Sequence, residues 1–259
     1  MDFLEFKKGV YRQFGLNLEG YKEKQLKRRI DSLMQSQQYE DYGKYLNSLA
    51  RNEEQLLRFL DKVTINVSEF FRNPEIFKIL ETKILPDLLR DRPKIKVWSA
   101  ACSNGAEPYS LAILLEELSP GANHIIEATD IDRKILQEAR KGYYEARFLK
   151  NVSPVRLQRV FQPEGKGYVI NQQMRDRVLF RHHDLLEDSY GRYYDLIVCR
   201  NVTIYFTMEA QDLLYRKFFE ALNPGGVLFI GATENMLRYR ELGYEKISPW
   251  FYRRAITKQ

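Results

Sequence analysis

The chain predicts an α/β fold: an open, mainly parallel sheet with helices on its faces and a small β insertion, preceded by an all-helical N-terminal domain. Three observations carry that prediction. Residues 1 to about 90 repeat apolar side chains at helical spacing with almost no strand signal; from KIKVWSA onward strand, loop and helix alternate; between Gly142 and Arg177 that alternation loosens into short pieces.

Taken in order, FLEFKKGVYRQF, YKEKQLKRRIDSLM, YEDYGKYLNSL and EEQLLRFLDKV each place apolar residues three and four apart between short polar breaks. They define a helical domain over 1–72, and 73–90 reads as a linker helix. After Arg92-Pro93 the segments KIKVWSA, PYSLAILLEEL, HIIEATD and RKILQEAR alternate as β, α, β, α, the pattern of a parallel sheet occupying 91–259. VLFRHHD, YDLIVCR and GVLFIGA add strands. MEAQDLLYRKFFEAL predicts a helix stopped by a turn at Asn223-Pro224-Gly225-Gly226, and WFYRRAI one more strand at an antiparallel edge. PVRLQRVFQPEGKGYVINQQM predicts a short helix and strand pieces around a glycine turn, a β insertion at about 158–177.

Composition narrows the function classes. With 44% hydrophobic and 29% charged residues the chain is of ordinary globular make-up, not a disordered one. Its N-terminus mixes acid and base and is no signal peptide, and no apolar run reaches membrane-spanning length, so a cytoplasmic protein without direct membrane insertion is expected. Cys102 and Cys199 match no metal or redox spacing, and His124, His182 and His183 form no ligand set, so no metal is expected. The net charge of +6 points to an acidic partner. The densest basic stretch, YKEKQLKRRI, sets Leu26, Ile30, Leu33 and Met34 at helical spacing and leaves Lys24, Lys27, Arg28 and Arg29 mostly on the other face, as a solvated surface or a docking one.

Chemistry concentrates after the first strand. In VWSAACSNGAEPYS an apolar run stops at small residues that let a ligand lie on the backbone at a helix start. The stretch is neither GxGxxG nor a Walker loop, so no pyrophosphate or triphosphate cradle is indicated. The next strand ends at Asp130, where a carboxylate can take both hydroxyls of a ribose; Asp130 could instead cap the helix RKILQEAR, but Asp132 is at least as good a cap and leaves one acid spare. A nucleoside without pyrophosphate fits, S-adenosylmethionine being the common example. Asn201, in CRNVTIYF, stands just past a strand end beside the place of a cofactor's reactive group, and Val202 and Thr203 replace the double proline typical of methylation at base amines. In TINVSEFFRNPEIF, Ser68 can cap, Phe70 and Phe71 can pack, and Arg72 supplies a cation.

The set SEFFRNP, VWSAACSNGAEPYS, ATDID, CRNVTIYF and LNPGGVLFIGATEN, in this order behind a helical domain, closely resembles the CheR family of chemotaxis receptor methyltransferases across nearly the whole chain. The resemblance implies a Rossmann-like S-adenosylmethionine-dependent methyltransferase domain. It implies transfer of a methyl group to glutamate side chains on chemoreceptor cytoplasmic domains, giving methyl esters for chemotactic adaptation and S-adenosylhomocysteine as product. Carried over by position, it implies cofactor contacts at Asn66, Ser68, Arg72, Glu107, Asp130, Asp184, Leu185, Arg200, Asn201 and Val202. Arg72 and Tyr205 become the catalytic pair, and Lys24, Lys27, Arg28 and Arg29 the surface that docks acidic receptor helices. Thr203 departs from the family's more usual aliphatic residue, and Ser68 from its threonine. The expected protein is a monomer, recruited to membrane-bound receptor arrays, with no nucleic-acid partner. Two other readings stay open: a methyltransferase of this fold with another acceptor such as nucleic acid, and a non-enzymatic cofactor sensor.

Overall fold

The computed structural model of the chain describes residues 1–64, 68–90 and 92–256. Four amphipathic helices come first: α1 (Phe3–Phe14), α2 (Glu23–Ser36), α3 (Tyr42–Arg51) and α4 (Glu53–Thr64). The Asp2 carboxylate accepts the Glu5 amide at 2.8 Å while Glu5 accepts the Asp2 amide at 3.2 Å, a capping box that starts α1. The apolar stripes of the four helices meet in a core of their own around Phe6, Ile30, Tyr45 and Phe59. Each such buried side chain contributes about 1.5–3 kcal/mol. A nearly continuous helical rod then runs through α5 (Pro74–Ile79), a π turn (Leu80–Ile84) and α6 (Leu85–Arg90). Ile76, Phe77, Leu80 and Leu85 are buried in the larger core of the sheet domain, not in that of the first four helices.

The rest alternates as the sequence predicts: β1 (Lys96–Ala100), α7 (Ala106–Leu118), β2 (Ile125–Asp130), α8 (Arg133–Lys141), β3 (Tyr143–Glu145), α9 (Pro154–Val160), β4 (Phe161–Glu164), β5 (Gly167–Ile170), α10 (Gln172–Arg175), β6 (Val178–His182), β7 (Tyr194–Cys199), α11 (Met208–Ala221), β8 (Leu222–Ile230), β9 (Tyr244–Ser248) and β10 (Phe251–Arg254). Seven strands form the main sheet in the order β6-β2-β1-β7-β8-β10-β9. The first five are parallel, and β1 lies between β2 and β7, with Val97 opposite Ile126 on one side and Leu196 on the other. The chain winds outward from β1 to β6 and returns to β7. Strand order therefore reverses between β1 and β7, the place where open α/β sheets bind ligands.

Three details depart from the sequence reading. WFYRRAI is not the edge: β10 pairs with β8 on one side and with β9 on the other, and β9, drawn from YEKIS, is the outermost strand. Asn223–Gly226 is not a free turn after α11. The chain enters β8 directly at Leu222 and bulges, so that the register with β7 jumps between Tyr194 and Leu196, with Gly225 at φ 77°. The small sheet has the order β3-β5-β4, so it takes one outer strand from Tyr143–Glu145, upstream of the 158–177 segment. Three-residue strands carry too little alternation to be read locally.

Candidate functional site

An open cleft with about 880 Å³ of empty space lies over the carboxyl ends of β6, β2, β1 and β7, closed on one side by the N-terminal helices. Its floor is the small-residue loop after β1. Ala101, Ser103 and Gly105 adopt left-handed φ of 64°, 50° and 84°, and Ala101 and Ser103 face the cleft. The loop is pinned by the Cys102 amide on the Thr129 carbonyl at 2.9 Å and by the Tyr144 hydroxyl on the Asn104 carbonyl at 2.8 Å. A Cβ on Gly105 would fall 2.9 Å from the Ala139 methyl and 3.2 Å from the Tyr144 hydroxyl, so close packing as well as φ requires glycine there.

The two acids after β2 divide their work. Asp132 caps α8, accepting the Lys134 and Ile135 amides at 2.8 and 3.2 Å. Asp130, 6% exposed, lines the cleft and accepts the Ser103 amide at 2.8 Å and the Asp132 amide at 3.0 Å. Burial pushes its carboxyl up to about 6, against the pull of those amides. At the end of β6, Asp184 and Leu185 also line the cleft; Asp184 accepts the Leu186 amide at 2.8 Å, and burial raises its carboxyl above the usual range.

On the opposite wall, Glu107 in the first turn of α7 accepts the Ser99 hydroxyl at 2.8 Å and the Arg200 guanidinium at 3.3 Å. Burial raises its carboxyl, with Arg200 opposing. Arg200, 7% exposed, also donates to the Arg72 carbonyl at 2.8 Å and to Asn73 Oδ1 at 2.9 Å, and its guanidinium lies 4.8 Å from the Phe229 ring centre. It lines the cleft and at the same time ties Glu107 to the turn that carries Arg72.

That turn is anchored from the small β sheet. Phe70 packs edge-on against Tyr144 and Phe161 with ring centres 4.8 and 5.1 Å away, and its amide donates to the Phe148 carbonyl at 3.0 Å. The Phe71 amide donates to Ser110 Oγ at 3.0 Å, and Phe71 and Asn73 take φ of 50° and 61°. Ser68 and Arg72 are thereby presented to the cleft. Asn66 lies outside the described residues.

After β7, Asn201 and Val202 line the cleft, followed by a single 3₁₀ turn, Thr203–Tyr205, that brings Tyr205 in as well. The N-terminal domain grips this turn. The Lys22 amide donates to the Tyr205 carbonyl at 2.8 Å, Lys22 Nζ to the Ile204 carbonyl at 2.9 Å, and the Thr207 amide to the Gly20 carbonyl at 2.8 Å. Tyr21 packs edge-on to Phe206 with centres 4.9 Å apart and lines the cleft beside Asp130 and Asp184; burial and those two carboxylates raise its phenol.

The four cations of α2 do not share one environment. Lys24 and Arg28 are exposed, Lys27 pairs with Asp31 at 2.8 Å, and Arg29 is half-buried with its guanidinium 4.5 Å from the Tyr205 ring centre. Arg29 thus belongs to the rim of the cleft. The sequence reading did not single out Tyr21, Ile131, His183, Phe206 or the clamp residue Glu234, which holds the 201–203 backbone from behind. Phe206 and Glu234 fall inside stretches already notable, CRNVTIYF and GATEN; Tyr21 gives no local signal, because it meets the cleft through contacts more than 180 residues distant.

The arrangement suits a polar nucleoside ligand. Asp130 offers carboxylate oxygen toward hydroxyls, and four buried polar atoms of cleft residues, Ser103 Oγ, His183 Nε2, Arg200 Nε and Asn201 Oδ1, have no hydrogen-bond partner among the described residues. Comparison with known proteins agrees with this. Residues 1–64 match the family description "CheR methyltransferase, all-alpha domain" and residues 66–249 match "CheR methyltransferase, SAM binding domain". A chemotaxis protein methyltransferase of Listeria monocytogenes is 44% identical over 253 residues, covering 97% of this chain and 96% of that protein. One of Pseudomonas putida is 33% identical over 250 residues, 90% of each.

Proposed function

The chain belongs to the CheR methyltransferase family and takes S-adenosylmethionine as its cofactor, and from that premise we propose that it methylates glutamate side chains of chemoreceptor cytoplasmic domains to give glutamate methyl esters. One observation carries this reading: Arg72 and Tyr205 converge on the cleft that also holds Asp130 and Asp184. Asp130 takes the ribose hydroxyls, Asp184 and Leu185 the adenine edge, and Glu107 with Asn201 and Val202 the methionine end. Bound there, the cofactor supplies an electrophilic methyl group.

The protein's own task is then alignment. A glutamate carboxylate has an ordinary pKa of about 4.3 and is ionised at neutral pH, so no general base is required. Arg72 holds that carboxylate through its guanidinium fork, in a turn kept rigid by Phe70, Phe71 and Arg200, and the Tyr205 hydroxyl completes the seat. Neither residue moves a proton. Positioning of this kind is worth up to about 7–11 kcal/mol in favourable cases. Lys24 and Arg28, exposed one helix turn apart on α2, draw in the acidic receptor helix. Among the described residues no helix is long and apolar enough to cross a membrane. On the proposed reading the protein works on the cytoplasmic side of membrane-bound receptor arrays.

The test is transfer of labelled methyl from S-adenosylmethionine to a purified receptor cytoplasmic fragment, followed by mild base. Release of volatile methanol is expected. Label that resists base marks a nitrogen acceptor and refutes the ester.

A further inference from the structure

Behind the loop that carries Asn201, one carboxylate collects five donors. Glu234 is 6% exposed and follows β8 by four residues. Its Oε2 accepts the Gly231 amide at 2.5 Å and the Asn201 amide at 2.9 Å; its Oε1 accepts the Val202 amide at 3.0 Å, the Thr203 amide at 2.8 Å and the Thr203 hydroxyl at 2.7 Å. A carboxylate has about four lone-pair directions, so it is saturated within the chain. Three successive amides, 201 to 203, therefore turn toward the same anion, as they do around a bound phosphate in a backbone nest. The anion here is a side chain.

The backbone is shaped to permit this. Asn201 sits at φ 61°, a left-handed conformation that asparagine tolerates better than most residues. A Cβ on Gly231 would fall 2.7 Å from both the Asn201 nitrogen and Glu234 Oε2, so only glycine lets the two chains approach. With its main chain so held, Asn201 lines the cleft with its Oδ1 buried and without a partner among the described residues. Glu234 itself does not line the cleft.

We infer that Glu234 is a positioning residue for the amino-acid half of the cofactor: by fixing residues 201–203 it aims Asn201 at that half and leaves the nucleoside half untouched. The division follows from the sheet. Asp130 and Asp184 stand at the ends of β2 and β6, on one side of β1, while the loop held by Glu234 follows β7 on the other side. A variant at Glu234 should thus separate two affinities that ordinary destabilisation lowers together. The inference rests on the cleft being the cofactor site.

The experiment is calorimetry on the full chain with two probes, S-adenosylhomocysteine and 5′-methylthioadenosine, which lacks the amino-acid end. In Glu234→Gln, affinity for S-adenosylhomocysteine should fall about tenfold or more, the loss expected for hydrogen bonds to a charged group, while affinity for methylthioadenosine stays within about twofold. Thr203→Val removes a single donor and should show the same split at about two- to fivefold, which keeps the inference testable if the glutamine variant does not fold. Equal losses for both probes, or none for either, overturn the inference and leave Glu234 a purely structural residue. Wild-type protein that binds neither probe overturns instead the placing of the cofactor in this cleft.

Discussion

Cofactor affinity should weaken on acidification through Asp130. Its carboxyl, pushed up to about 6 by burial, is ionised to about 97% at pH 7.5 but only about 9% at pH 5, whereas an ordinary aspartate is still about 94% ionised at pH 5. If the ionised form receives the ribose hydroxyls, the apparent dissociation constant scales as the inverse of that fraction and rises about tenfold between the two pH values. The sign follows from the direction of the shift: a raised carboxyl gains its proton as pH falls through about 6, and the acceptor becomes in part a donor. Asp184 and Glu107 are raised by burial too and add in the same direction, while burial holds the His183 imidazole below its ordinary value. Asp130→Asn isolates the one group. At pH 7.5 it should bind S-adenosylhomocysteine about 10- to 100-fold more weakly, the loss of hydrogen bonds to a charged acceptor, and the gap should close by about tenfold at pH 5. Isothermal calorimetry at four or so pH values reads both curves. Parallel curves for wild type and variant, or a flat wild-type curve, would refute the assignment of Asp130 as the ionised ribose acceptor.

Three further outcomes are expected. Arg72→Ala should lower kcat by about 100-fold or more while S-adenosylhomocysteine affinity changes far less, and Arg72→Lys should not restore turnover, because an ammonium lacks the planar fork; single-turnover kinetics beside calorimetry separates the two effects. Lys24→Glu together with Arg28→Glu should raise KM for a receptor fragment by about tenfold at low salt, with the difference shrinking as salt is added and cofactor affinity unchanged. Gly105→Ala places a methyl group against Ala139 and Tyr144 at φ 84° and should cost about 1–3 kcal/mol in urea unfolding; an unchanged midpoint would mean that the loop after β1 yields easily.

The parallel sheet and the four N-terminal helices were legible because their signals are local. LIVC in β7 and VLFI in β8 are buried on both faces and read as continuous apolar runs, and α1 to α4 show their stripes within one or two turns. That one of Asp130 and Asp132 is spare was legible, since only one acid is needed to cap α8, and the fold gives the cap to Asp132. The rest depends on pairings that no local pattern records. Tyr21 reaches the cleft because residues 20–22 lie along 204–207, and Arg29 leaves the basic face of α2 because Tyr205 offers its ring there. β9 was hidden because its outer residues Glu245 and Lys246 are polar and exposed, as suits an edge strand. Glu234 looks in sequence like one surface acid among many, and only the folded chain surrounds it with five donors.

The central claim is that the acceptor is a glutamate carboxylate held by Arg72. Tandem mass spectrometry of a receptor cytoplasmic fragment incubated with wild-type protein and S-adenosylmethionine should place one added methyl on particular glutamates, absent with Arg72→Ala and removed by mild base. A base-stable methyl on lysine, arginine or glutamine nitrogen, made equally well by the alanine variant, would contradict the account.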